Sequence, residues 1–301
     1  MFQSFEALTD PAQGAERVAR LRAHLAGLGL DGFLVPRADE HQGEYVPACA
    51  ERLAWLTGFT GSAGAALVLE DRALLFVDGR YTLQAATQAD TGTFAIESLV
   101  DNPPSKWLAS HAGEELALGF DPWLHTIAEA QALRAALEKA GGRLVPLEVN
   151  PVDAIWDDQP APPAQQIEIH PVGFSGELAK DKIARLAAGF REEGATHAVL
   201  TDPSSLAWAF NIRGSDVPHT PLALGFAVLA AEGLPLVFLS HAKLTMETEA
   251  YLTQLATVLE PEELEGRLAA LAAEGGRIAL DPALAADRLR MIVEDNGGTV
   301  V

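Results

Sequence analysis

Cysteine is almost missing from this 301-residue chain: Cys49 stands alone. One thiol closes no intrachain disulfide, so a reducing compartment is expected. Basic residues are scarce, 21 Lys and Arg against 42 Asp and Glu, for a formal net charge of −21. Nucleic acid and anionic membrane surfaces both need clustered Lys and Arg, so neither is an expected partner, whereas a cationic ligand would be attracted. No apolar run approaches the ~18 residues that would cross a bilayer, and no start-proximal run resembles a signal peptide. The chain therefore reads as cytoplasmic. His-Glu-x-x-His, Cys-x-x-Cys and Gly-x-x-x-x-Gly-Lys-Ser/Thr are all absent, which removes the short signatures of zinc peptidases, redox enzymes and phosphate loops.

What is present is a long internal repeat. Arg17-Val18-Ala19-Arg20-Leu21 is answered by Lys182-Ile183-Ala184-Arg185-Leu186, and Leu53-Ala54-Trp55 by Leu206-Ala207-Trp208. Phe120-Asp121-Pro122 returns as Leu280-Asp281-Pro282, and Gly141-Gly142-Arg143 as Gly297-Gly298-Thr299. The offsets run from 153 (53 to 206) to 165 (17 to 182). Solenoid repeats have periods of roughly 20–50 residues, so this spacing marks a duplicated domain. An apolar fraction of 49% supplies two packed cores.

Hydrophobic spacing predicts the elements. In the first half, helices are expected at 13–28, 51–58, 80–89, 105–112 and 126–140. Strands are expected at 31–36, 65–70, 73–78, 94–99, 116–120 and 143–147. In the second half, helices are expected at 176–193, 204–211, 245–254, 261–273 and 282–295. They alternate with strands at 197–201, 256–259, 277–280 and 299–301 and a hairpin over 224–239. The proline-rich stretch 150–171 has the composition of a linker. The expected organisation is a domain at 1–155, a linker at 156–172 and a domain at 173–301. Each domain is α/β, a central mixed sheet flanked by helices.

Few residues carry chemistry by pattern alone. Gly58, Gly61 and Gly64 form a turn that precedes a strand, not a helix, so it reads as structural, with glycines supplying positive φ. Ser62 lacks the glycine two residues earlier that a nucleophile elbow requires. His41 and Glu44 sit three apart in a polar loop, too few to hold a metal. Ser215, Asp216 and His219 are too close in sequence to form a catalytic relay by themselves. Arg80, where a strand gives way to a helix, reads as a buried-edge clamp on carboxylates or carbonyls.

The loops are nevertheless recognisable. Asp39-Glu40-His41-Gln42-Gly43-Glu44-Tyr45, Leu56-Thr57-Gly58-Phe59-Thr60-Gly61-Ser62-Ala63-Gly64 and Val77-Asp78-Gly79-Arg80-Tyr81 resemble the amino-terminal domain of long-form aminopeptidase P. Phe210-Asn211-Ile212-Arg213-Gly214-Ser215-Asp216-Val217 with His219 resembles its middle domain, and Asn150-Pro151-Val152-Asp153-Ala154-Ile155-Trp156 the region between. The resemblance implies two tandem, mutually related creatinase N-terminal-like domains with a ribonuclease H-like motif.

In that family a third, pita-bread domain holds two divalent ions, usually manganese, and hydrolyses the bond before a proline in the second position of a peptide. That domain is expected beyond Val301, so residues 1–301 are assigned no metal ligand, no cofactor and no catalytic residue, and are expected to be inactive alone. By resemblance they would wall the substrate cleft and support a homodimeric parent. The cleft candidates are Glu44, His41, Tyr45, Arg80, Arg213, Asp216 and His219, with Glu44 placed to meet the α-ammonium of a peptide. The rival reading is a non-enzymatic peptide- or protein-binding module built from the same domains.

Overall fold

The computed structural model describes residues 9–301; residues 1–8 of the expected first domain lie outside the described residues. Contacts divide the chain into two units. The first comprises residues up to Ala38, Ala48–His125 and Glu129–Ala161; the second comprises Asp39–Pro47, Thr126–Ala128 and Pro162–Val301.

The first unit is built on strands β1 (Gly32–Pro36), β2 (Gly64–Leu69), β3 (Ala73–Val77), β4 (Phe94–Ser98), β5 (Ala117–Phe120) and β6 (Arg143–Pro146). Their order across the sheet is β4-β3-β2-β1-β5-β6. The β1–β2 and β2–β3 pairs are antiparallel and the other three parallel. The strands read as unbroken apolar runs because both faces are covered. On one face Phe33, Val35, Val68 and Leu75 pack with Val18, Leu21 and Leu25 of helix Gly14–Gly27. On the other, Leu34, Leu67 and Phe76 pack with Trp107 and Leu108 of helix Pro104–His111 and with Leu133 and Leu137 of helix Ile127–Lys139. Alternation along β1 thus sends Phe33 and Leu34 into different cores.

The second unit repeats the plan. It contains β7 (Glu168–Ile169), β8 (His197–Leu200), β9 (Ile212–Arg213), β10 (Phe226–Ala230), β11 (Leu236–Phe238), β12 (Thr257–Leu259), β13 (Arg277–Ala279) and β14 (Thr299–Val300). The main sheet runs β12-β11-β10-β8-β13-β14. Strand for strand this is the first sheet, with the same antiparallel central pairs and parallel flanks. Helix Ala179–Glu192 occupies the place of Gly14–Gly27 in the order of elements. The two units are therefore duplicated α/β domains with mixed sheets.

Two local expectations change. The helix expected at 282–295 begins only at Asp287. Ala285 N–H turns back to the Asp281 carbonyl, and Ala286 is extended (φ −60°, ψ 141°) because it bridges Thr126. The second change is β9, which pairs antiparallel with β7 inside the stretch expected to be linker.

In the glycine-rich turn, only Gly58 has positive φ, +82°, as the left-handed cap of helix Arg52–Thr57. Gly64 is required for a different reason: a Cβ there would lie 2.9 Å from the Phe76 carbonyl oxygen.

Candidate functional site

Six of the seven cleft candidates, all but Arg80, sit where the two repeats differ. In the second unit, β8 is followed by Thr201 and Asp202 and then helix Pro203–Phe210; Asp202 caps that helix by accepting from Ser204 N and Ser205 N, with Pro203 at its first position. In the first repeat, residues 37–51 stand at the same point between β1 and helix Arg52–Thr57, and these carry His41, Glu44 and Tyr45. Conversely, residues 58–63 join helix to strand in the first unit, where the second uses 211–225, which carry Arg213, Asp216 and His219. Duplication preserved the sheets, and the inserted loops hold the unusual side chains.

Residues 39–47 belong to the second unit. Asp39 is buried, and its Oδ1 accepts from His41 N (3.0 Å) and Gly43 N (3.4 Å), which fixes the loop's first turn. Burial pushes the Asp39 carboxyl above the usual range. His41 was expected in a solvated loop; it is instead 4% exposed. Its Nδ1–H donates to the Thr201 carbonyl oxygen, and its ring lies 4.4 Å from that of Phe226. A buried imidazole needs a polar partner, and the end of β8 supplies one. Glu44 and Tyr45 follow on the exposed part of the loop. His41 thus anchors, and Glu44 and Tyr45 are presented to solvent.

Residues 211–225 also belong to the second unit. Arg213 is half-buried, and its Nη1 donates to the carbonyls of Ile212 (2.7 Å) and Ala207 (3.3 Å) at the end of helix Pro203–Phe210. A cation is favoured at that end of a helix. Asp216, expected in a polar loop, is buried. Its Oδ2 accepts from Lys243 Nζ and from Leu224 N, both at 2.7 Å, while Lys243 Nζ also donates to the Leu224 carbonyl. The ion pair is nearly dry, with side-chain exposures of 0% for Asp216 and 8% for Lys243. His219 lies beyond it on the exposed tip of the loop.

Arg80 belongs to the first unit and is exposed, not held at a buried edge. Its Nε pairs with Asp78 Oδ1 at 2.9 Å and its guanidinium lies over the Tyr81 ring. The structure brings His41, Glu44, Tyr45, Arg213, Asp216 and His219 into one unit and leaves Arg80 in the other.

Several buried polar groups gave no sequence signal. Lys182 donates to Asn211 Oδ1 (2.8 Å) and the Trp208 carbonyl (2.9 Å), with its ammonium over the Trp208 ring. In the first unit, Asp121 accepts from Asn150 Nδ2 and Trp123 N, both at 2.9 Å. Among the described residues no group of three or more His, Cys, Asp or Glu is placed to hold a metal ion, and no helix is long and apolar enough to cross a membrane.

Comparison with known proteins accounts for the repeat. Two models of the creatinase/prolidase N-terminal domain match, one over residues 17–154 and the other over 158–300. A probable Xaa-Pro aminopeptidase P from Ajellomyces dermatitidis is 34% identical over 82% of this chain and 40% of its own length. Aminopeptidase P2 of Arabidopsis thaliana is 35% identical over 85% of this chain and 37% of its own length. The chain spans about 40% of the length of such relatives. Among solved structures, X-prolyl aminopeptidase from Caenorhabditis elegans, described as a cytosolic enzyme with a di-nuclear active site, superposes with a TM-score of 0.87 at 26% identity. That match covers 95% of this chain and 50% of the other. The chain belongs to the creatinase/prolidase N-terminal domain family and contains that domain twice.

Proposed function

We propose that this chain is the amino-terminal, non-catalytic part of an Xaa-Pro aminopeptidase, a metallopeptidase that removes the first residue of a peptide when proline follows. One observation carries the reading: both units, in order, align with X-prolyl aminopeptidase over 95% of the chain. The domains at 1–155 and 173–301, joined through 156–172, would wall the peptide cleft and support a homodimer. The described residues offer no set of side chains that fits a metal ion. Two divalent ions, manganese by resemblance, belong in this reading to a further domain of the parent, where they would polarise the scissile carbonyl and supply the nucleophile. A cytoplasmic location belongs to the same reading.

The part left to this chain is recognition. Glu44, exposed on a loop whose root is pinned by His41, would pair with the α-ammonium of the substrate. The net charge of −21 favours approach of a cationic peptide terminus. It equally suits the rival reading, a binding module for basic segments. The two readings part in the full-length product of the gene. With manganese it should cleave an Xaa-Pro-Pro peptide at the first bond, while residues 1–301 alone should not exceed a heat-killed control. Turnover by residues 1–301, or no turnover by the full-length product, would overturn the proposal.

A further inference from the structure

Four non-glycine residues among those described have positive φ: Gln42, Glu115, Asn211 and His219. Side chains with a Cβ avoid this region unless something compensates. Asn211 caps a helix and binds Lys182 and the Glu177 carbonyl. Gln42 donates to the Asp39 carbonyl. Their side chains are used by the fold. His219 (φ +61°) differs, since its imidazole is exposed and makes no hydrogen bond, ion pair or ring contact among the described residues.

The backbone around it is closely specified. Thr220 N donates to the Val217 carbonyl at 3.2 Å, closing the turn Val217-Pro218-His219-Thr220. Proline second and a left-handed residue third is the pattern of a type II turn, in which glycine or asparagine is favoured at the third place. Asp216 N donates to Leu222 O and Gly214 N to Pro221 O. At the root, Asp216 and Lys243 grip the main chain of Leu224 from inside the unit. Glu115 (φ +70°), the other such residue without a side-chain hydrogen bond among the described residues, sits in a turn rooted by the Asp31 carboxylate on Ala117 N at 2.7 Å, with no buried ion pair. His219 thus holds a left-handed backbone on a turn rooted by a buried ion pair, with a side chain the fold does not use, and backbone outliers of this kind cluster at functional sites.

We propose that the Val217–Thr220 turn is a presentation element, that His219 hydrogen-bonds the bound peptide, and that Asp216 and Lys243 are its positioning residues. This rests on the reading of the chain as part of an Xaa-Pro aminopeptidase. The test uses the full-length product and a fluorogenic Xaa-Pro-Pro peptide, together with thermal unfolding of residues 1–301. His219→Gly relieves the left-handed backbone, so its unfolding midpoint should equal or exceed that of the unaltered chain. Its KM should nevertheless rise roughly threefold to tenfold, the worth of one hydrogen bond, with kcat little changed. His219→Asn, which tolerates the same φ and keeps polar atoms, should recover part of the loss. An active enzyme whose KM is unmoved by His219→Gly would overturn the proposal alone. So would a lowered midpoint in His219→Gly, which would make the imidazole structural. An unaltered full-length product without Xaa-Pro activity would overturn the functional reading and this proposal with it.

Discussion

The Nδ1–H of His41 donates to the main-chain carbonyl of Thr201 at 3.1 Å, from a ring that is 4% exposed and 4.4 Å from that of Phe226. This contact roots the loop that carries Glu44, and it makes His41 a fold residue. His41→Ala would empty a buried ring site and should lower stability by about 2–5 kcal/mol, the range for large-to-small core changes. His41→Phe keeps the volume and leaves the Thr201 carbonyl without its imidazole donor, which should cost about 1–3 kcal/mol. Urea denaturation of residues 1–301 would rank them; equal costs would mean that the hydrogen bond contributes nothing.

Lys243 and Asp216 should behave as one object. Lys243→Met leaves a carboxylate with 0% side-chain exposure facing a thioether. Breaking a buried pair from one side costs about 3–5 kcal/mol, because the surviving charge stays dry. The double variant Lys243→Met with Asp216→Leu should recover a large part of that loss. A double variant as unstable as the sum of the singles would show that the two side chains act independently.

The sheets were legible in the sequence because their information is local. Val18, Leu21 and Leu25 announce a helix by spacing, and the apolar runs 65–69 and 73–77 announce strands covered on both faces. The repeat then carried the topology of one half over to the other. What stayed hidden depends on partners far along the chain. Ile212-Arg213 becomes a strand only because Glu168-Ile169 lies beside it, and two residues have no periodicity to read. His41 and Asp216 look like polar loop residues until Thr201 and Lys243, 160 and 27 positions away, are placed against them. Lys182 and Lys243 show the same problem from the other side, since charged residues are buried only where a specific partner waits. Burial of a polar residue is a tertiary fact, and a hydropathy pattern reads it as exposure.

Asp121 gives a dependence on pH that can be signed. Burial raises its carboxyl above the usual value, outweighing the hydrogen bonds from Asn150 and Trp123. Between the unfolded and the folded pKa the native state therefore binds more protons than the unfolded state. The contribution of Asp121 is then most favourable below the unfolded value and is lost as pH rises through the folded one. Asp121→Asn cannot ionise, and it forfeits an acceptor at every pH. Its cost relative to the unaltered chain should be largest at and below about pH 4, roughly the unperturbed aspartate value, and should shrink toward neutrality. Denaturation curves of both proteins across that interval would test this; a cost that grows with pH would mean that the ionised form is the one the fold prefers.

Glu44 offers the sharpest separation of function from fold. It is exposed, and it lies three residues beyond the buried anchor His41. Glu44→Gln should leave the unfolding midpoint of residues 1–301 within the small range of surface substitutions, about 0.5 kcal/mol. If Glu44 meets the substrate's α-ammonium as proposed, the same change in the full-length product removes that carboxylate. A charge-assisted hydrogen bond contributes about 1.5–3 kcal/mol, which is roughly tenfold to two-hundredfold in kcat/KM. Blocking the peptide's amine by acetylation removes the partner from the other side. If Glu44 binds the ammonium, the penalty of Glu44→Gln should vanish on the acetylated peptide, however slowly that peptide is cut. Normal turnover of the free-amine peptide by Glu44→Gln would remove the residue from the cleft. A fall in stability without a change in kcat/KM would return it to the fold beside His41.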